Sequence, residues 1–398
     1  MSAGMNEHLT LKVGMVGFGA AAQAFLPSFA KHKGFQWVSV CDPNEEVQAQ
    51  VQAFQGVKYF KSLTQMLQLQ TDLDVLYIAS PTDLHVEHTL HALSSGVNVL
   101  VEKPMANTLS DALSMVQAAK TAGKLLMVGH SHSYDRPILE MKRLIDGGTL
   151  GAVQMVNTWC YTDWMYRPRR AEELIHQLGG GVTYRQGAHQ FDIIRYLCGG
   201  LATSVRAKTF DMDPDRRGIG AHSVFIDFEA GASATAIYNG YAGFSTMEIG
   251  FDISEWGFEE PLGVRKWLQK PLSSRLPADE LKAKRARAAG AIPSSAPYQP
   301  FFGVTLVSCE RGDIRQTPRG LLVCSRHGRE ELILSKEESP RDLVLAELYG
   351  ALVGGERVIH SGEWGAANLE LCSAAIESSI QHRELPLRHQ VAISPSPL

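Results

Sequence analysis

Between residues 11 and 129, short apolar runs alternate with stretches of helical periodicity, and this alternation constrains the fold more than any other feature of the chain. The runs at 12–16, 37–41, 75–79, 97–101 and 125–128 read as strands bounded by turn residues. Segments 84–95 and 109–122 carry helix-length apolar spacing, and Gly96 and Gly123 stand where helical C-caps fall. Strands joined by helices pair in parallel, and such a sheet needs cover on both faces, so a doubly wound α/β layer is expected.

Beyond about residue 150 the rhythm changes. Strand-like runs at 153–161, 224–228, 232–238, 303–306 and 321–324 follow one another with few helices between them, which predicts a large, mostly antiparallel sheet. Helices are expected only near 188–197 and 366–381, covering one face of that sheet. A chain of 398 residues exceeds what one core usually holds, so residues 1–130 are read as a nucleotide-binding domain and 131–398 as a substrate and oligomerisation domain. Segment 255–300 is read as a basic insertion carrying Arg265, Lys266, Lys270, Arg275, Lys282, Lys284, Arg285 and Arg287. A solvated face, a lid and a subunit contact are all open for it.

Composition removes several classes of function. The formal net charge of -4 argues against nucleic acid as a partner. The six cysteines contain no C-x-x-C pair, which fits reduced thiols and a cytoplasmic location. The first ten residues lack an apolar signal core, and no apolar run is long enough to span a membrane, so neither secretion nor a membrane partner is expected.

The first strand runs directly into Gly17-Phe18-Gly19-Ala20-Ala21-Ala22, a G-x-G-x-x-G/A loop. Gly17 permits the tight turn, Gly19 allows the backbone to approach a pyrophosphate, and Ala22 lets the following helix pack closely. Asp42 ends the second strand, where a carboxylate accepts hydrogen bonds from ribose hydroxyls and repels a 2′-phosphate. This favours NAD over NADP in a Rossmann domain. Ser80, Pro81, Thr82 and His85 follow the strand at 75–79, on the cofactor edge of the sheet. Glu102-Lys103-Pro104 follows the strand at 97–101 on that same edge, where open α/β sheets bind their ligands.

Together with Gly179-Gly180-Gly181 and the H-x-x-D pair His189 and Asp192, these motifs resemble the Gfo/Idh/MocA oxidoreductases over nearly the whole chain. The resemblance implies NAD-dependent hydride transfer, with Lys103 and His189 handling the hydroxyl proton and Asp192 near the substrate. One position departs from the family pattern. Where many members carry an aspartate four residues before the histidine, this chain has Arg185.

The strings at 129–135, 161–173 and 179–192 resemble the phthalate 4,5-cis-dihydrodiol dehydrogenase branch, which implies a carboxylated diol as substrate and a catechol as product. His130, Tyr161, Arg167, Arg169 and Arg185 are then expected at the substrate. Arginine suits a carboxylate because it donates two parallel hydrogen bonds. The alternative for each of Arg167, Arg169, Arg170 and Arg185 is surface pairing with Asp163, Glu172 or Glu173. His130 and His132, two apart at a strand end, invite comparison with a metal pair, but no metal is expected because no carboxylate cluster accompanies them in sequence. A sugar, inositol or sugar-acid dehydrogenase, or a cofactor-sensing regulator without catalysis, are the competing readings. A homo-oligomer, dimer or tetramer, is expected in each case.

Overall fold

The computed structural model describes residues 9–259, 279–280, 282–284 and 296–393. Arg265, Lys266, Lys270, Arg275, Arg285 and Arg287 of the basic insertion lie outside these residues. The first sheet has six parallel strands in the order β3-β2-β1-β4-β5-β6. They are β1 (Leu11–Val16), β2 (Phe35–Cys41), β3 (Lys58–Phe60), β4 (Val75–Ile78), β5 (Asn98–Val101) and β6 (Leu126–Val128). β1 and β4 are nearly all buried because helices cover both faces, which is why they read as unbroken apolar runs. Helices α1 (Ala20–Lys31), α2 (Glu45–Val51), α3 (Leu63–Leu69), α4 (His85–Ser94) and α5 (Leu109–Ala122) make the crossovers. Thr108 caps α5 by accepting from the Asp111 N–H, and Gly123 ends the helix at φ 61°. The three-residue strand β3 and the short helices α2 and α3 are too brief to show periodicity.

The second sheet has nine strands in the order β14-β13-β12-β11-β7-β10-β9-β8-β15. They are β7 (Val153–Tyr161), β8 (Ala202–Phe210), β9 (Ala221–Phe228), β10 (Ser233–Asn239), β11 (Val304–Cys309), β12 (Gly312–Thr317), β13 (Gly320–Ser325), β14 (Gly328–Ile333) and β15 (Leu385–Pro386). Every neighbouring pair is antiparallel except β7 with β10. Alternate residues face a shared core, as in β10, where Ala234, Ala236 and Tyr238 are buried and their neighbours are half-exposed.

The expectation of only two helices in this half needs correction. Besides α7 (Ala188–Leu197) there are α6 (Arg136–Asp146) and α8 (Pro340–Tyr349), and the last helix, α9 (Gly362–Gln381), starts earlier than expected. Ser361 sets that start, its side chain accepting from the Trp364 N–H. α8 packs chiefly on the side of the first sheet, against α1 and the turn after β6. Its Val344, Leu345 and Leu348 join Val13, Phe25 and Phe29 in the core beneath the first sheet. α9 packs on both β8 and α5 and so locks the two sheets together. The functional groups gather where the carboxyl edge of the first sheet meets α7.

Candidate active site

The glycine loop is built as its residue types require. Gly17 sits at φ 85°, and a Cβ there would meet the backbone of Ala79 and Ser80 at 2.7–2.8 Å. At Gly19 an added Cβ would meet nothing within 4 Å, leaving open space over the start of α1. α1 begins without a side-chain cap, so its first N–H groups stay available to a phosphate. The Asp42 carboxylate accepts from the Phe18 N–H at 2.8 Å and the Asn44 N–H at 2.9 Å, which aims it across the loop with lone pairs to spare for ribose hydroxyls. Phe18 itself is core, its ring stacked on Trp37 at 5.7 Å, so its role at the loop is its backbone. The residues present therefore fit NAD.

His85 is buried with Nδ1 3.0 Å from the Pro104 carbonyl and Nε2 2.8 Å from the Ser80 carbonyl, pinning the turn after β4 to the turn after β5. Burial lowers its pKa to about 4. Ser80 touches His88 at 2.9 Å. Pro81 opens the 3₁₀ turn Thr82–Leu84, and Thr82 accepts from Arg185 Nη1 at 2.9 Å.

Lys103 follows β5. Glu102 next to it accepts from the Tyr77 hydroxyl at 2.6 Å, and Lys103 Nζ donates to the Arg185 carbonyl at 3.3 Å. Burial, opposed by Glu102 and aided by Arg185, lowers the Lys103 pKa to about 8. His189, on the first turn of α7, is buried and keeps a proton poorly: burial comes first, followed by the nearby Lys103, His132 and His130. Its Nδ1 has no partner among the described residues. Lys103, after β5, and His189, on α7, lie near enough for the lysine charge to act on the imidazole.

His130 and His132 part company. The chain turns into the 3₁₀ segment His132–Tyr134 straight after β6, which breaks strand alternation and sends the two rings to different partners. His130 lies 4.0 Å from Asp192 Oδ2, and burial lowers its pKa to about 4. His132 places Nδ1 3.0 Å from Asp135 and Nε2 3.3 Å from Glu255. Burial works against charge on this ring, but the two carboxylates raise its pKa to about 9.

Asp192 is fully buried. Its Oδ1 accepts from Trp364 Nε1 at 2.7 Å and lies 3.3 Å from His360 Nε2, while its Oδ2 faces His130 at 4.0 Å. The arginines separate as well. Arg167 donates to Asp163 at 2.7 Å, a partner the sequence offered, but in a half-buried pair and not on the surface. Arg169 stacks over Trp164 at 4.2 Å, and its N–H donates to Glu280. Tyr161, at the end of β7, stacks on Phe244 at 5.0 Å. Arg185, half-buried with its Nε unpartnered among the described residues, is the arginine whose backbone carbonyl accepts from Lys103. The described edge of the insertion is not loose cation: Lys284 pairs with Glu173 at 2.6 Å.

Sequence reasoning missed Asp135, Glu255, His360, Glu347 and Phe302. Asp135 was visible as an i,i+3 partner of His132, but the others come from distant segments and carried no local signal.

The Gfo/Idh/MocA model, described as an oxidoreductase family with an NAD-binding Rossmann fold, matches residues 11–130, and the model of the family's C-terminal domain matches residues 138–253. A 1-carboxy-3-chloro-3,4-dihydroxycyclohexa-1,5-diene dehydrogenase from Comamonas testosteroni is 36% identical over 92% of this chain and 94% of its own. The chain belongs to the Gfo/Idh/MocA family of oxidoreductases. Within that family, a crystal structure of a protein assigned as a dehydrogenase from Bordetella bronchiseptica RB50 superposes at a TM-score of 0.87, with 35% identity over 95% of this chain and all of that one (100%). The WlbA dehydrogenase from Bordetella pertussis, solved with NADH and UDP-GlcNAcA, shares the fold at a TM-score of 0.71 and 20% identity over 95% of this chain and 99% of its own. Inositol 2-dehydrogenase 3 from Saccharopolyspora erythraea is 28% identical over 48% of this chain and 54% of its own. This Gfo/Idh/MocA member is an NAD-binding dehydrogenase, and none of its described helices is long and apolar enough to cross a membrane.

Proposed function

We propose that the enzyme oxidises a carboxylated cis-dihydrodiol, of the phthalate 4,5-cis-dihydrodiol class, to the catechol. The observation that carries this reading is Arg185, a cation fixed by Thr82 at 2.9 Å whose own carbonyl accepts from Lys103 at 3.3 Å, so that an anion-binding group and the proposed base share one anchor. The Comamonas testosteroni relative, whose name gives a carboxyl group on a dihydroxylated cyclohexadiene, supports the same class.

Bound NAD, held by the Gly17–Ala22 loop and Asp42, supplies the acceptor for the hydrogen and electron pair that leave the carbinol carbon. Lys103 Nζ, as the free amine, takes the hydroxyl proton, so that the O–H bond breaks as an N–H bond forms. His189, kept neutral by its burial, gives or accepts one hydrogen bond at that hydroxyl and holds it in line. Arg185 binds the ring carboxylate and sets which hydroxyl meets Lys103. The hydroxydienone product enolises to the aromatic catechol.

Formation of reduced nicotinamide from a carboxylated cis-diol tests the reading. Turnover of neutral polyols with none of the diol acid would transfer the assignment to a sugar or inositol dehydrogenase. Binding of NAD with no turnover of either would transfer it to a regulator. Arg185→Ala is expected to lower kcat/KM for the carboxylated diol roughly ten- to hundredfold, equivalent to one charge-assisted hydrogen-bonded contact, while leaving neutral diols near their starting rate.

We also propose a cytoplasmic homo-oligomer built on the second sheet. Its outer face carries Met155, Trp159 and Phe225, which are 50%, 38% and 43% exposed, with Ile237 and Leu306 on adjoining strands. A face carrying these exposed apolar side chains around the Asn157–Thr235 hydrogen bond suits a second copy of the same chain. Sedimentation is expected to give a dimer or larger species for the wild type and monomer for Phe225→Asp. A wild-type monomer at working concentration contradicts the proposal. The free cysteines agree with a reducing compartment.

A further inference from the structure

We propose that Glu255 is a positioning residue for the reaction, clamping His132 between its own carboxylate and that of Asp135 and so fixing the ring that packs against His189. The inference rests on the reading of Lys103 and His189 as the groups at the substrate hydroxyl.

The clamp is assembled from four separate segments. Asp135 comes from the turn after β6 and reaches His132 Nδ1 at 3.0 Å, and Glu255 reaches Nε2 at 3.3 Å from the far side. Phe302 stacks on the same imidazole with ring centroids 4.3 Å apart, and His189 of α7 meets it edge-on at 4.6 Å. Both nitrogens and one face are therefore occupied, and the ring has a single orientation. Glu255 is itself held by a closed turn, in which the Ser254 N–H donates to the Phe258 carbonyl at 2.8 Å, while the Ser254 carbonyl accepts from Gly257 at 2.9 Å and from Phe301 at 3.2 Å. Phe301 adjoins Phe302, so one anchor positions both the carboxylate and the stacking ring.

The clamp decides how charge is distributed over the site. With a carboxylate on each nitrogen, His132 donates through both and carries its proton through the neutral range. This cation at the edge of His189, together with Lys103, His130 and Arg341 of α8, disfavours a second proton on His189. Glu255 in turn feels Lys103 and Arg167 besides His132, and Asp135 feels Arg341. A neutral His189 cannot compete with the substrate hydroxyl as a proton source, so the hydroxyl proton passes to Lys103. Position 185, an arginine here, holds no carboxylate for this purpose. The charge that organises the imidazoles enters through His132 instead.

The sign of the pH effect follows. In the wild type the His132 cation is present below about pH 9. In Glu255→Gln one of the groups that raise it is gone, so the ring that donates through both nitrogens and is thereby held edge-on to His189 is lost at lower pH, and the variant should match the wild type at acid pH and fall behind as pH rises. The expected result is a wild-type to variant ratio of kcat/KM near one at about pH 6, growing to about twofold by about pH 8 and towards tenfold above about pH 9, one pKa unit of lost interaction. Glu255→Asp should recover part of the difference. A merely structural role for Glu255 predicts a deficit that is the same at every pH.

Histidine-selective NMR of the wild-type protein supplies a readout apart from turnover: His132 should remain an imidazolium until about pH 9. A ratio that does not change with pH, or a wild-type His132 that titrates near the ordinary histidine value, overturns the inference, and the NMR result decides it even if Glu255→Gln does not fold. Failure of the underlying reading is separately visible. In that case Lys103→Met keeps its activity, whereas failure of the clamp alone leaves Lys103→Met inactive and Glu255→Gln with a flat ratio.

Discussion

Lys103→Met is expected to lower kcat/KM for diol oxidation by about 10² to 10⁴, the range for loss of a positioned general base, with NAD affinity nearly unchanged. Methionine keeps the length and apolar stem of lysine but takes no proton. The size of the effect reflects how the site is arranged. Lys103 is the group whose proton affinity has been brought near the working pH, to about 8, chiefly by burial. His189 is too poor a base to replace it, because burial and four neighbouring cationic or imidazole groups work against its protonation. The free amine is the active form in oxidation, so kcat/KM of the wild type should rise with pH and level off above about pH 8. In the reductive direction the ammonium is the proton donor and the dependence should invert. A Lys103→Met enzyme with wild-type kcat/KM, or a wild type whose oxidation rate falls through that range, refutes the assignment.

Asp192→Asn is expected to destabilise the fold by about 3–5 kcal/mol, the cost of removing one partner from a buried charge pair, measured by urea unfolding near neutral pH. Asp192 holds Trp364 at 2.7 Å and sits 3.3 Å from His360, whose Nδ1 meets the Tyr134 hydroxyl at 2.8 Å and lies 3.7 Å from Glu347. The network joins α7, α8, α9 and the turn after β6, so its loss loosens the junction of the two sheets as well as the site. Asparagine can still accept from Trp364 but leaves the His360 imidazolium with the more distant Glu347 as its counter-charge.

The pH signature has two sides. Burial opposes ionisation of Asp192, yet His130 and His360 hold its pKa well below the usual carboxylate range, so its stabilisation is present above about pH 3.9, the unfolded value, and is lost in acid. Burial also opposes charge on His360, but Asp192 and Glu347 raise its pKa to about 9. Its contribution is therefore complete below about pH 6.5, the unfolded value, and is lost as pH climbs through about 9. The gap in stability between wild type and Asp192→Asn should narrow at both ends.

Several elements of the chain were legible before any coordinates. The glycine loop, Asp42 and the motif around Lys103 are local in sequence, because a tight turn, a strand end and a helix start are each decided by neighbouring residues. The first sheet followed from strand–helix alternation, and α5, α7 and β7 fell on the residues expected of them. α8 was not legible because its apolar stripe of Val344, Leu345 and Leu348 is short and its partner surface lies more than 300 positions earlier, around Phe25 and Phe29. The sorting of the arginines could not be read either. Arg167 and Arg185 are equivalent as residue types, and only the fold gives the first to Asp163 and brings the second to Thr82 and Lys103.

What the sequence determined by itself is the nucleotide-binding half, the cofactor it takes and the family chemistry, since those depend on backbone conformation and on side chains close together along the chain. What the tertiary structure decided is the charge state of the site. Whether a histidine is neutral, like His189, or cationic, like His132 and His360, depends on which carboxylates arrive from distant segments and how much water burial removes, and neither quantity is written in the residues adjacent to the ring.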